Sequence, residues 1–187
     1  MTWQIAFMTG QSDPSRCALS PLQSSFLEAL ALPDVAKVPT NFPYAALPLP
    51  YRDVSLAAAS WHNARQYVRS RAPAFAERHR ASVVAMAQRA DHTVVLAGSC
   101  GLELLANLSL PGETLRRLHV FAYGPVARRS PACDLLVVRG RHDWIARGRS
   151  LRVDHVVNCG HMDYLENPDV LALCRGWIGR VRARAAS

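Results

Sequence analysis

The run Val94-Val95-Leu96-Ala97-Gly98-Ser99-Cys100-Gly101-Leu102-Glu103-Leu104-Leu105 holds the residues best placed for chemistry. An apolar strand-like stretch runs straight into a turn of small residues, then into an apolar helix-like stretch. A nucleophile elbow needs this order, because the nucleophile sits on a strained strand-to-helix turn. Its neighbours two before and two after must be small, or their Cβ atoms collide with the facing backbone. Ser99 as nucleophile places Ala97 and Gly101 there, both small. Cys100 is the better intrinsic nucleophile, but it would place Leu102 at a position too tight for it. Sterics therefore select Ser99. The N–H of Cys100, at the start of the helix, becomes a candidate oxyanion donor. An acid and then a histidine should follow, each just past a strand. Leu135–Val138 runs into Arg139-Gly140-Arg141-His142-Asp143, and Val153–Asn158 runs into Cys159-Gly160-His161. In the order Ser99, Asp143, His161, the histidine takes the hydroxyl proton and the aspartate orients the imidazole. That is acyl chemistry.

Other acids compete with Asp143. Asp134 opens its strand, at the wrong end of a parallel sheet, since sites gather at strand C-termini. Asp154 lies at the start of the last strand, and Asp163 reads as a second partner or a capping residue. His142 reads as a surface residue. The seven histidines and five cysteines show no H-x-x-x-H or C-x-x-C spacing, so neither a metal nor another cofactor is expected. Gly98-Ser-Cys-Gly101 has no Lys-Ser/Thr ending and is not a phosphate loop. Cys17, Cys133, Cys159 and Cys174 read as core fillers.

The elements that must position these residues alternate between strand and helix, which predicts an α/β domain with a mostly parallel sheet. Strands are expected at Trp3–Met8, Asp34–Val38 (stopped by Pro39), Thr93–Ala97, Leu118–Ala122, Leu135–Val138 and Val153–Asn158. Ser20 as N-cap and Pro21 at the first helical position open a helix to Leu32. Residues 39–60 carry four prolines, Pro39, Pro43, Pro48 and Pro50, and read as a long stiff loop. Helical spacing resumes from Trp61 to Ala90, split or kinked at Pro73. Trp61, Ala64, Val68, Ala72 and Phe75 are its expected apolar face, and Arg65, Arg69, Arg78, Arg80 and Arg89 its solvated one. The last helix has Asn167 as N-cap, Pro168 after it, and a stripe of Val170, Leu173, Cys174, Trp177, Ile178 and Val181.

Three segments together resemble the α/β-hydrolase superfamily. They are the elbow Ala97–Gly101, the strand running into Gly140-Arg-His-Asp143, and Cys159-Gly160-His161 leading to Glu166-Asn-Pro168 and the last helix. The resemblance spans essentially the whole chain, read as a single domain over 1–187. It implies a compact α/β-hydrolase fold of about six strands, with the first two of the usual eight missing. The spacings of 44 residues from Ser99 to Asp143 and 18 from Asp143 to His161 leave no room for an inserted lid. Phe7-Met8-Thr9-Gly10-Gln11 is similar to the strand and His-Gly loop of the superfamily. Matched residue by residue, Gly10 takes the glycine position and Gln11 supplies the second oxyanion N–H, with Thr9 departing from the histidine. Asn41-Phe42-Pro43-Tyr44 matches an Asp-x-Pro-Gly loop. Phe42, Tyr44, Leu47, Leu49 and Trp61 are candidates for an acyl-binding wall, or for packing over the open sheet edge.

Composition bounds the function. The chain has 187 residues, half of them hydrophobic, enough for one core without disulfides. No apolar run reaches the ~18–20 residues of a membrane span, and the N-terminal stretch lacks the basic region of a signal peptide. A reduced, cytoplasmic protein is expected. The net charge is +8, and every basic residue except Lys37 is arginine. No helix-turn-helix, RNA-binding or zinc pattern accompanies that charge, so nucleic acid is not the expected partner. The reading is a serine hydrolase acting on an ester or thioester, with an acidic acyl carrier protein as a candidate partner for the arginines. The alternative is a catalytically silent member of the fold that serves as a binding or accessory protein. A GC-rich codon habit is the competing account of the charge.

Overall fold

In the computed structural model, residues 1–44, 49–147 and 151–187 are described. Six strands form one sheet: β1 (Trp3–Met8), β2 (Val35–Asn41), β3 (His92–Gly98), β4 (Leu118–Tyr123), β5 (Asp134–Gly140) and β6 (His155–Val157). Their spatial order is β2-β1-β3-β4-β5-β6, and every pairing is parallel. β1, β3 and β4 are buried almost throughout, as continuous apolar strands covered on both faces should be.

Among the described residues six helices flank the sheet: α1 (Pro21–Ala29), α2 (Leu56–Arg69), α3 (Pro73–Ala87), α4 (Gly101–Asn107), α5 (Gly112–Arg116) and α6 (Pro168–Ala186). Two apolar clusters result, one on each face. On one face α1 and α6 pack Phe26, Leu27, Val170, Trp177 and Ile178 against Phe7, Leu96 and Phe121. On the other, α3 and α4 pack Val83, Met86, Leu102 and Leu105 against Met8, Val95 and Val120. Ser20 is the N-cap expected and also forms a capping box with Gln23, and Asn167 caps α6 through the N–H groups of Asp169 and Val170. The connection 124–133 between β4 and β5 contains no helix. Among the described residues no helix is long and apolar enough to cross a membrane.

Two expectations fail outright, and others shift in their bounds: residues 39–60 are not all loop, since α2 begins at Leu56, and the last strand covers only His155–Val157 rather than Val153–Asn158. β2 does not stop at Pro39 but continues to Asn41. β2 is an edge strand, and a missing N–H is harmless where it faces no partner. The second concerns the segment 61–90. Pro73 divides it into α2 and α3, but α2 packs the opposite way round from its apolar pattern. Leu56, Trp61 and Val68 are 64%, 68% and 60% exposed, and no residue of α2 is fully buried. The inward face is polar instead, with Asn63, Gln66 and Tyr67 half-buried. Of these, Gln66 accepts from the Gln11 N–H at 2.7 Å, which an apolar side chain could not do.

Candidate active site

β3 ends on the turn that carries Ser99. Its backbone has φ 51°, one of three positive values among the described non-glycine residues. That strain holds the hydroxyl off the path of the strand. Ser99 N–H donates to the Tyr123 carbonyl at 3.3 Å, and Val126 N–H donates to the Ser99 carbonyl at 2.8 Å, so β4 and the loop after it fix the turn. Gly101 has no alternative: a Cβ there would stand 1.8 Å from the carbonyl oxygen of Met8. The small-residue rule thus reflects the close approach of the β1 terminus to the elbow.

The neighbouring Cys100 is 3% exposed, and burial pushes its thiol up to about 12. A thiol so hard to ionise is a poor nucleophile. Chemistry therefore agrees with sterics in favouring Ser99 over Cys100 as the candidate nucleophile.

Asp143 and His161 come from the loops after β5 and β6. His161 Nε2 lies 3.1 Å from Ser99 Oγ, and His161 Nδ1 lies 2.9 Å from Asp143 Oδ2. The three side chains expected to meet do meet. Asp143 is fully buried, yet each carboxylate oxygen is satisfied. Oδ1 accepts from Ala146 N–H at 2.9 Å, and Oδ2 also accepts from the Tyr164 hydroxyl at 2.7 Å. Burial alone would raise the carboxyl pKa, but the donors from His161, Ala146 and Tyr164 outweigh it and hold it below the usual range. Tyr164 in turn accepts from Gly140 N–H at 2.6 Å. Burial, reinforced by the carboxylate it bonds, pushes its phenol well up, so it stays a donor. Gly124, with φ +52°, leaves the space for this pair, since a Cβ there would stand 2.5 Å from the Tyr164 ring and 2.9 Å from Asp143 Oδ2.

The rival acids do other work. Asp134 is at the start of β5, on the far edge of the sheet. Asp154 accepts from Val137 N–H, and Asp163 accepts from Gly160 N–H, so it caps the turn that presents His161. His142 is exposed, beside Asn158.

The loop after β1 abuts the elbow, because a Cβ on Gly10 would come within 2.9 Å of Cys100 Sγ. Asn41 clamps this loop, accepting from Thr9 N–H and donating to Thr9 Oγ1, both at 2.9 Å. Gln11 is where the resemblance put it, but its N–H is not free. It donates to Gln66 Oε1 at 2.7 Å.

The acyl-binding wall does not assemble as expected. Tyr44 is 5% exposed, and its hydroxyl donates to the Thr9 carbonyl at 3.1 Å, so it braces the loop from beneath. Phe42 is partly buried against the α3–α4 cluster, which is the sheet-edge packing alternative. Trp61 points outward from α2. Leu47 and Arg149 lie outside the described residues. Asn41, Gln66 and Tyr164 are the site residues that sequence reasoning missed. They act on backbone groups or on another side chain, and no motif marks that.

Among the described residues no cluster of three or more histidine, cysteine or acidic side chains has the arrangement to hold a metal ion.

No protein-family model matches the chain, and no curated protein matches it. Among solved structures the chain is similar to the dienelactone hydrolase of Anabaena variabilis, with a TM-score of 0.54 at 14% identity, covering 96% of this chain and 84% of that one. With its six-stranded parallel sheet and flanking helices, the protein has the α/β-hydrolase fold.

Proposed function

We propose that the protein is a serine hydrolase that cleaves an ester or thioester through an acyl-enzyme. The observation that carries this reading is the unbroken hydrogen-bond chain from buried Asp143 through His161 to Ser99 on its strained turn. Ser99 Oγ attacks the acyl carbonyl as its proton passes to His161 Nε2. The C–O or C–S bond to the leaving group breaks, and that group takes the proton from His161. Water, deprotonated by the same imidazole, then hydrolyses the acyl-serine. Asp143 stays ionised and stabilises the transient imidazolium, to which its lowered pKa is suited. Cys100 N–H, next to the nucleophile at the head of α4, is one donor to the oxyanion, and Gln11 N–H is the other once Gln66 leaves it.

The fold neighbour's name, dienelactone hydrolase, is in keeping with ester cleavage. The proposed substrate arrives on an acidic acyl carrier protein. Exposed Arg141 and Arg147 beside Asp143, with the exposed apolar side chains of Trp144 (76%) and Met162 (63%) next to the acid and the histidine, support that partner. The cytoplasm is the proposed compartment, in keeping with five free cysteines.

A fluorophosphonate probe tests the reading. Wild type should label at one serine and Ser99→Ala should not. Unlabelled, well-folded wild type would favour the silent binding protein instead. Carrier-bound acyl groups should react faster than free small esters, and salt should erase the advantage. Equal rates in all salt would remove the carrier from the proposal.

A further inference from the structure

We propose that Gln66 is the gate of the oxyanion hole, an internal stand-in for the substrate carbonyl that substrate must displace. The inference rests on the serine-hydrolase reading. Gln66 Oε1 is an amide carbonyl oxygen, chemically close to the oxygen of an ester or thioester carbonyl. It takes the Gln11 N–H at 2.7 Å, the donor that the second arm of the hole would offer.

The donor does not owe its position to Gln66. The Gln11 side chain is tied to the carbonyls of Pro14 and Arg16, at 3.2 and 2.7 Å. Asn41 clamps Thr9 on the other side. The loop is therefore built without the gate, and removing the gate uncovers a donor already in place.

α2 is suited to moving. None of its residues is fully buried, and its large apolar side chains face outward. One turn before Gln66, Asn63 lies over Gly10, where a Cβ would come within 2.3 Å of Asn63 Oδ1. That oxygen is buried and lacks a hydrogen-bond partner among the described residues. The closed arrangement thus leaves one polar atom unsatisfied, a cost that opening relieves. Glycine at position 10 is what allows the helix to sit so low.

The exchange favours the transition state. A neutral substrate carbonyl gains nothing over Gln66 at this donor, because one neutral acceptor replaces another. The oxyanion is a charged acceptor and binds an N–H roughly twice as strongly. The gate therefore discriminates against bound molecules that develop no charge there.

The test uses full-length wild type, Gln66→Ala and Gln66→Glu, with Ser99→Ala as control. The probes are a fluorophosphonate and a small p-nitrophenyl ester, and hydrogen exchange is followed at the Gln11 amide. Gln66→Ala should label and turn over about two- to tenfold faster, the worth of one neutral hydrogen bond. Its Gln11 amide should lose the protection it has in wild type, while the Phe42 amide, bonded to the Phe7 carbonyl at 3.0 Å, keeps its own. Gln66→Glu should be slower than wild type at neutral pH, because its carboxylate holds the Gln11 N–H more tightly and repels the oxyanion. Equal or slower reaction of Gln66→Ala, with Ser99-dependent labelling intact, overturns the gate and leaves the hydrolase reading standing. A Gln11 amide that exchanges freely in wild type overturns it as well. If neither wild type nor Gln66→Ala labels, the hydrolase reading fails and the gate with it.

Discussion

Two Asp–His chains lie at opposite edges of the same sheet. At the C-terminal edge, Asp143 Oδ2 meets His161 Nδ1 at 2.9 Å, and His161 Nε2 meets Ser99 Oγ at 3.1 Å. At the N-terminal edge, Asp134 Oδ2 meets His119 Nδ1 at 3.1 Å, and His119 Nε2 meets His92 Nδ1 at 3.0 Å. The two imidazoles are equally buried, with side-chain exposures of 12% and 11%. The surroundings differ. The Asp143 side chain is fully buried and held by neutral donors, whereas that of Asp134 is 35% exposed and shared with Arg184 at 2.7 Å. The first chain ends on a serine under backbone strain. The second ends on another histidine, stacked on Trp3 at 4.4 Å between ring centroids. A carboxylate–imidazole pair is thus no signature by itself. What separates the two is the group at the end, and whether the acid has a cation of its own.

The sharpest test substitutes asparagine in each acid. Asp143→Asn should lower kcat by about three to four orders of magnitude, because the imidazole loses its orienting acceptor. Asp134→Asn should leave kcat within about twofold and lower the melting temperature by a few degrees at most, as expected of a partly exposed ion pair. Comparable losses of activity in both would end the distinction.

Tyr164→Phe probes the donors that only the first chain has. It removes one hydrogen bond to a charged group and leaves Gly140 N–H without its acceptor, a loss of about 1.5–3 kcal/mol of stability. The Asp143 carboxyl should also rise toward its ordinary value. Because its folded pKa is depressed, its stabilising contribution is present above the unfolded value of 3.8 and is lost as pH falls through the folded one. Acid unfolding of Tyr164→Phe should therefore begin at higher pH than that of wild type. An unchanged acid midpoint would mean that the phenol is not what holds the carboxyl low.

The smallest effect belongs to the second chain. Burial, and then His119, lower the His92 pKa from 6.5, with Asp91 opposing and Arg117 and the N-terminus adding to the shift. Below that ordinary value the unfolded chain takes a proton the folded one refuses, so stability should fall as pH drops through about 6.5. His92→Gln should flatten that part of the stability–pH curve without changing kcat at pH 8.

The Ser99–His161–Asp143 arrangement was legible because it rests on rules local to the chain. Small residues at positions 97 and 101 fix where a strained turn can form, and chain order then points past two strands to Asp143 and His161. The strands were legible for the same reason, except where the setting overrode the residue, as at Pro39 on an edge. α2 was misread because apolar spacing reports which face is apolar, not which face is covered. Phe42, Tyr44 and Trp61 were aromatic in a promising loop, but only packing decides whether an aromatic lines a site or braces it. Asn41, Gln66 and Tyr164 bond backbone groups far away in sequence, and nothing in their own neighbourhood announces that.

The loose seating of α2 has a consequence for how the molecule comes apart. β1, β3 and β4 are closed to solvent, while α2 shows Arg65 and Arg69 on its surface and Arg71 follows in the turn. Local opening of this helix costs less than global unfolding. Trypsin acting on the native protein should therefore cut first at these arginines and leave the sheet intact, so the abundance of arginine makes the protein a map of its own local stability.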